Sequence, residues 1–96
     1  MGFRVTPEQL DELGNSYSQQ ADQIQSAHDV LQQRSNAIES SWSGAAAQEH
    51  QTLMQQYTGE LAKMEQTLHQ IAANLHTSAN NYREADATAQ KGFTPA

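Results

Sequence analysis

Seven-residue repetition on both sides of a single tryptophan restricts the fold of this chain more than any other feature. Before it, Leu10, Tyr17, Ile24, Leu31 and Ile38 recur every seventh residue, with Leu13, Ala21, Ala27 and His28 filling in at three- or four-residue offsets. After it, His50, Tyr57, Met64, Ile71 and Ser78 make one row, and Met54, Leu61, Leu68, Leu75 and Tyr82 make a second beside it. Apolar residues at this interval share one face of a helix, and such a face packs against another helix. Trp42-Ser43-Gly44 separates the two patterns, so the chain must reverse direction there. The spacing predicts an all-α fold, an antiparallel helical hairpin with its corner at the tryptophan.

The first helix has a marked start. In Thr6-Pro7-Glu8-Gln9, Thr6 can cap the N-terminus, Pro7 suits the first turn and Gln9 completes a capping box. The second helix is expected to begin with Gly44-Ala45-Ala46-Ala47 and to run to Tyr82 or beyond, neither helix containing an internal proline. Antiparallel pairing then sets Ile38 near Ala46, Leu31 near Leu53, Ile24 near Leu61, Tyr17 near Leu68 and Leu10 near Leu75. The expected packing residues are Leu10, Tyr17, Ile24, Leu31, Ile38, Tyr57, Leu61, Met64, Leu68, Ile71 and Leu75. Of the two glycines inside the helices, Gly14 lies on the apolar side one turn after Leu10 and suits a close approach, whereas Gly59 falls between rows. Residues 1–96 form one domain, with flexible ends at 1–5 and 88–96. The tail Lys91-Gly92-Phe93-Thr94-Pro95-Ala96 holds a glycine and a proline that end helices, leaving Phe93 as an aromatic that a partner could dock.

A hairpin of this composition has difficulty standing alone. Only 36% of its residues are apolar, and two helices leave much of each stripe in water, while every ordered residue costs about 1.5 kcal/mol of conformational entropy. Pairing two hairpins into a dimeric four-helix bundle covers the remaining stripes. The formal charge of −6 opposes nucleic acid, and the bases Arg4, Arg34, Lys63, Arg83 and Lys91 are scattered. The same charge and the narrow stripes argue against a membrane-active role at neutral pH. There is no cysteine. The N-terminus lacks the apolar run of a secretory signal, and no segment approaches the ~20 apolar residues of a membrane span. Export, if it occurs, takes a route that is independent of a signal peptide.

Catalytic and metal-binding groupings find no support. His69 and His76 share a face, yet no carboxylate stands at the Glu-x-x-His spacing of bundle metal sites, and Glu65 with His69 makes one local pair at most. Serines are plentiful without a placed base, and Ser43-Gly44 does not make a phosphate loop. No cofactor and no enzymatic activity are expected. His50 occupies a seam row, which makes it either a hydrogen-bonded interface histidine or the trigger of an acid-sensitive dimer. Tyr82 precedes Asp86 by one helical turn, so a ring and a carboxylate share a face near the end of the chain.

A central Trp-x-Gly bend, two helices of this length, about one hundred residues and a terminal Tyr-x-x-x-Asp together resemble the WXG hundred-residue family, the small helical-hairpin substrates of type VII (ESX) secretion related to the early secreted antigenic target. The resemblance covers the whole chain, with Trp42 and Gly44 at the bend motif and Tyr82 and Asp86 at the export motif. It implies a protein made in the bacterial cytoplasm and secreted to the cell surface or medium. It further implies a folded dimer, either a homodimer, which is preferred, or a heterodimer with a sister protein. The bend of one subunit then lies near the C-terminal motif of the other, and an ATPase of the FtsK/SpoIIIE type reads the composite signal. Two other readings stay open: a cytoplasmic helical-bundle adaptor without an export role, and a membrane-active secreted effector. Trp42 and Gly44 can serve recognition, the geometry of the bend, or both.

Overall fold

The capping box at Thr6 is formed in full. Thr6 Oγ1 accepts from the Gln9 amide at 3.1 Å, and Gln9 Oε1 accepts from the Thr6 amide at 2.9 Å, so two amides left open by the helix start are satisfied reciprocally. A computed structural model describes the backbone of residues 4–93 and the side chains of residues 4–89. It contains two helices, α1 (Pro7–Glu39, 33 residues) and α2 (Ala45–Phe93, 49 residues).

At the end of α1, Ser40 and Ser41 donate their hydroxyls to the carbonyls of Ala37 and Ile38 at 3.0 and 3.1 Å, and the amides of Ser41 and Trp42 close the last turn on Ile38 and Glu39. Gly44 then turns the chain with a φ of 102°, a conformation that side chains with a Cβ resist. That angle is incompatible with a right-handed helix. For this reason α2 starts at Ala45, one residue later than the spacing suggests, and the Gly44 carbonyl accepts from the Gln48 amide at 3.2 Å.

The helices lie antiparallel in the expected register: Asp11 meets His76, His28 meets Thr58 and Ser35 meets His50. The middle of the contact differs from the heptad reading. Among the described residues the buried positions are Gly14, Ala21, Ala47, Ala72 and Ala79, and no larger side chain is fully buried. Small residues let the two backbones approach, which moves the large residues to the margins of the seam. Leu10, Tyr17, Ile24, Tyr57, Leu61, Leu68, Ile71 and Leu75 are half-buried there, while Leu31, Ile38 and Met64, also expected to pack, are exposed in the single chain. Gly14 marks a close approach: a Cβ on it would come within 2.9 Å of His76 Nε2 and 3.2 Å of the Ala72 carbonyl. Gly59 faces open space.

The result is a rod of 80 × 27 × 16 Å with a radius of gyration of 22.2 Å. A compact domain of this length would have about 13 Å. Because α2 is the longer helix and Asp11 in α1 already reaches Arg83, the last turns of α2 overhang the start of α1. The overhang is helical through Phe93, whereas the sequence predicts a flexible end from residue 88. Ala85, Ala87 and Ala89 are strong helix formers, and the first glycine after them is Gly92. Among the described residues no helix is long and apolar enough to cross a membrane.

Candidate functional site

The two motifs singled out in the sequence stand at opposite ends of the rod. Trp42 and Tyr82 are separated by most of α2, about 55 Å at 1.5 Å per helical residue, so one chain cannot bring them together.

At the bend, the Trp42 ring lies beside that of His50, with centroids 5.3 Å apart and planes inclined by 47°. His50 is half-buried and its Nε2 reaches Ser35 Oγ at 3.4 Å, a long contact between the helices. Trp42 is not sealed into the corner: it keeps 39% of its surface accessible. Gly44 supplies the turn angle and has nothing within 4 Å of where a Cβ would stand. An indole on an exposed corner, one face against an imidazole, can lock the turn and still present its edge to a partner.

At the open end, Tyr82 and Asp86 project from the overhang, with Tyr82 51% exposed. They share a groove of about 460 Å³ with the segment that leads into α1, namely Arg4, Val5, Thr6 and Pro7. Beneath the groove the helices are fastened by Asp11. Its Oδ1 accepts from His76 Nδ1 and its Oδ2 from Arg83 Nη2, both at 2.6 Å. Since an ionised carboxylate only accepts, His76 Nδ1 must carry a proton. The hydrogen bond from His76, and after it that from Arg83, holds the Asp11 carboxyl below the usual carboxylate range.

This aspartate–histidine pair ties α1 to α2. The other ring nitrogen, Nε2, packs against the backbone side of Gly14, where a nucleophile would have to stand. Midway along the rod, His28 Nε2 lies 2.8 Å from Thr58 Oγ1. That hydroxyl gives its own proton to the Met54 carbonyl at 2.9 Å, so His28 is the donor. No group of three or more His, Cys, Asp or Glu side chains able to hold a metal occurs among the described residues.

The structure puts Trp42 and Gly44 at the bend and Tyr82 with Asp86 on one face near the C-terminus, as their spacing implies. Sequence reasoning overlooked Asp11, His76 and Arg83 as a unit, and Arg4 to Pro7 as neighbours of Tyr82. The antiparallel pairing of Leu10 with Leu75 sets Asp11 opposite Asn74, within one helical turn of His76, which is the signal available. The side chain of Phe93, the expected docking aromatic of the tail, lies outside the described residues.

Comparison with known proteins agrees with this architecture along the whole rod. The profile of the WXG100 family, described as proteins of 100 residues with WXG, matches residues 2–87. The type VII secretion system extracellular protein A of Staphylococcus aureus (strain USA300) is 27% identical over 91 residues, covering 95% of this chain and 94% of that protein. Two solved structures share the hairpin: a point mutant of the secreted protein EsxB of Bacillus anthracis, with a TM-score of 0.82 at 23% identity over 90% of this chain and 96% of that one, and EsxA of Geobacillus thermodenitrificans, with a TM-score of 0.80 at 24% identity over 93% and 96%.

Proposed function

The chain belongs to the WXG100 family of proteins of 100 residues with WXG, and from that premise we propose that it is a substrate of a type VII secretion system. It leaves the bacterial cytoplasm without a signal peptide, as a folded dimer that carries its own export signal. The role is recognition and carriage, not catalysis. A relative named as a type VII extracellular protein, matched over nearly the whole of both chains, supports the secreted destination.

The observation that carries this reading is the placement of the two motifs. Trp42-Ser43-Gly44 forms the corner of the rod, and Tyr82 with Asp86 forms an exposed patch on its overhang, separated by most of α2. A second hairpin laid antiparallel along the first brings one subunit's corner beside the other subunit's overhang. The apolar surface supports such pairing. Leu31, Ile38, Leu53 and Met64 stay exposed, and among the described residues the buried side chains are no larger than alanine. Burying each is worth about 1.5–3 kcal/mol, more than an isolated hairpin can forgo. A homodimer is the preferred form and a heterodimer with a sister protein the other. The receptor is a membrane-bound ATPase of the FtsK/SpoIIIE type.

Secretion of wild type and Tyr82→Ala from a bacterium with an active type VII system tests the assignment, with light scattering on the purified chains. The wild type reaches the medium, the variant stays in the cells, and both scatter at twice the 10.6 kDa chain mass. Export of Tyr82→Ala at the wild-type level rejects the motif. A purified wild type that is a molten monomer transfers the dimer to a sister protein.

A further inference from the structure

The export motif does not stand alone on its helix. Tyr82 and Asp86 form one wall of a groove whose other wall is Arg4, Val5, Thr6 and Pro7 of the same chain. Two independent devices hold the walls together. The capping box fixes the path by which the N-terminal segment enters α1. Asp11, in the second turn of α1, grips Arg83, the residue next to Tyr82, at 2.6 Å. The overhang is thereby pinned to α1 at the point where the groove begins.

We infer that the segment Arg4–Pro7 is part of the surface through which Tyr82 and Asp86 are read, so that the receptor recognises a groove built from both ends of one hairpin instead of a linear helical motif. The inference rests on the export reading above and adds residues to it. The groove also defines its occupant. Its lining combines the Tyr82 ring, Val5 and Pro7 with one cation, Arg4, and one anion, Asp86. Among the described residues neither charge takes part in an ion pair. The matching partner is a receptor segment with an apolar side chain that fills the groove, flanked by an acid that meets Arg4 and a base that meets Asp86. Charges at the rim of such a contact set orientation and discriminate between partners.

The N-terminal segment can be tested without disturbing the fold, because Arg4 and Val5 precede the cap and are exposed. Full-length wild type, Arg4→Lys, Arg4→Glu, Val5→Ser and Tyr82→Ala are compared for binding to the purified cytoplasmic domains of the host's secretion ATPase, for secretion, and for thermal melting. Charge reversal at Arg4 is expected to weaken binding by about tenfold or more. Val5→Ser weakens it less, Arg4→Lys stays near wild type, and all melt like the wild type. If Arg4→Glu and Val5→Ser bind normally while Tyr82→Ala does not, the groove is not read and the export motif stands without it. A lowered melting temperature for Arg4→Glu overturns the inference in another way, by assigning the segment to stability. Normal binding and export of Tyr82→Ala remove the motif, and the groove reading with it.

Discussion

The two ends of the rod solve the same problem, holding two helices together, with different physics. The open end uses charge: Asp11 bridges His76 and Arg83 through two hydrogen bonds of 2.6 Å, and Glu8 stands in the first turn of α1, where the helix dipole favours an acid. The bend uses backbone geometry and ring contact: Gly44 at a φ of 102°, serine hydroxyls on the last carbonyls of α1, and Trp42 against His50. No base sits in the last turn of α1 and no acid in the first turn of α2, so neither helix dipole is offset at the corner. One end therefore responds to salt and pH, and the other to the conformational freedom of a single residue.

Substitution at Gly44 breaks this contrast most strongly. Gly44→Val places a β-branched residue where φ is positive, which costs about 1–2 kcal/mol whatever the space around it. With no large side chain buried among the described residues, this is a major fraction of the stability. Chemical denaturation should show the loss unchanged between low and high salt.

Asp11→Asn gives the opposite signature. It keeps the shape but removes the charge that Arg83 and His76 share, so the melting temperature falls more than for Asp29→Asn. The difference shrinks at 1 M salt, where screening acts over about 3 Å. The pH dependence follows from the same group. The Asp11 carboxyl is held below its usual range, so its contribution is fully present above its unfolded value near ~3.9 and is lost as pH falls through the lowered folded value. The clasp is accordingly intact at about pH 5, begins to lose its contribution as pH falls below ~3.9, and opens only below the lowered folded value. A circular dichroism melt series from pH 6 to pH 3 should show a steep acid decline in the wild type and a shallower one in Asp11→Asn.

Gly59→Ala is the small control that sharpens both results. The site is helical and open, so alanine should stabilise the hairpin by up to about 1 kcal/mol, with no dependence on salt or pH. If it destabilises instead, that face is covered in the dimer.

Particular residues show how far the sequence can be read. The capping box at Thr6 and Gln9, the reversal at Trp42-Ser43-Gly44 and the register of the helices depend on local propensity and on a repeating apolar period, both of which are written along the chain. The exposure of Leu31, Ile38 and Met64 is not. Heptad rows identify a helical face but not which part of it lies at the axis between two helices, and here Gly14, Ala21, Ala47, Ala72 and Ala79 occupy that place. The end of α2 runs past its expected limit because the helix-forming Ala85, Ala87 and Ala89 carry it through Gly92, which lies inside the helix.

The sequence by itself determined the hairpin, its corner and the face shared by Tyr82 and Asp86, because neighbours along a helix follow from its 3.6-residue turn alone. Only the tertiary structure decided that Asp11 would tie His76 to Arg83 and that Arg4 would line a groove with Asp86. Those partners are more than sixty residues apart in the chain, and their meeting depends on how closely the two helices approach, an outcome set by the glycine and alanines of the seam and by the overhang of one helix beyond the other.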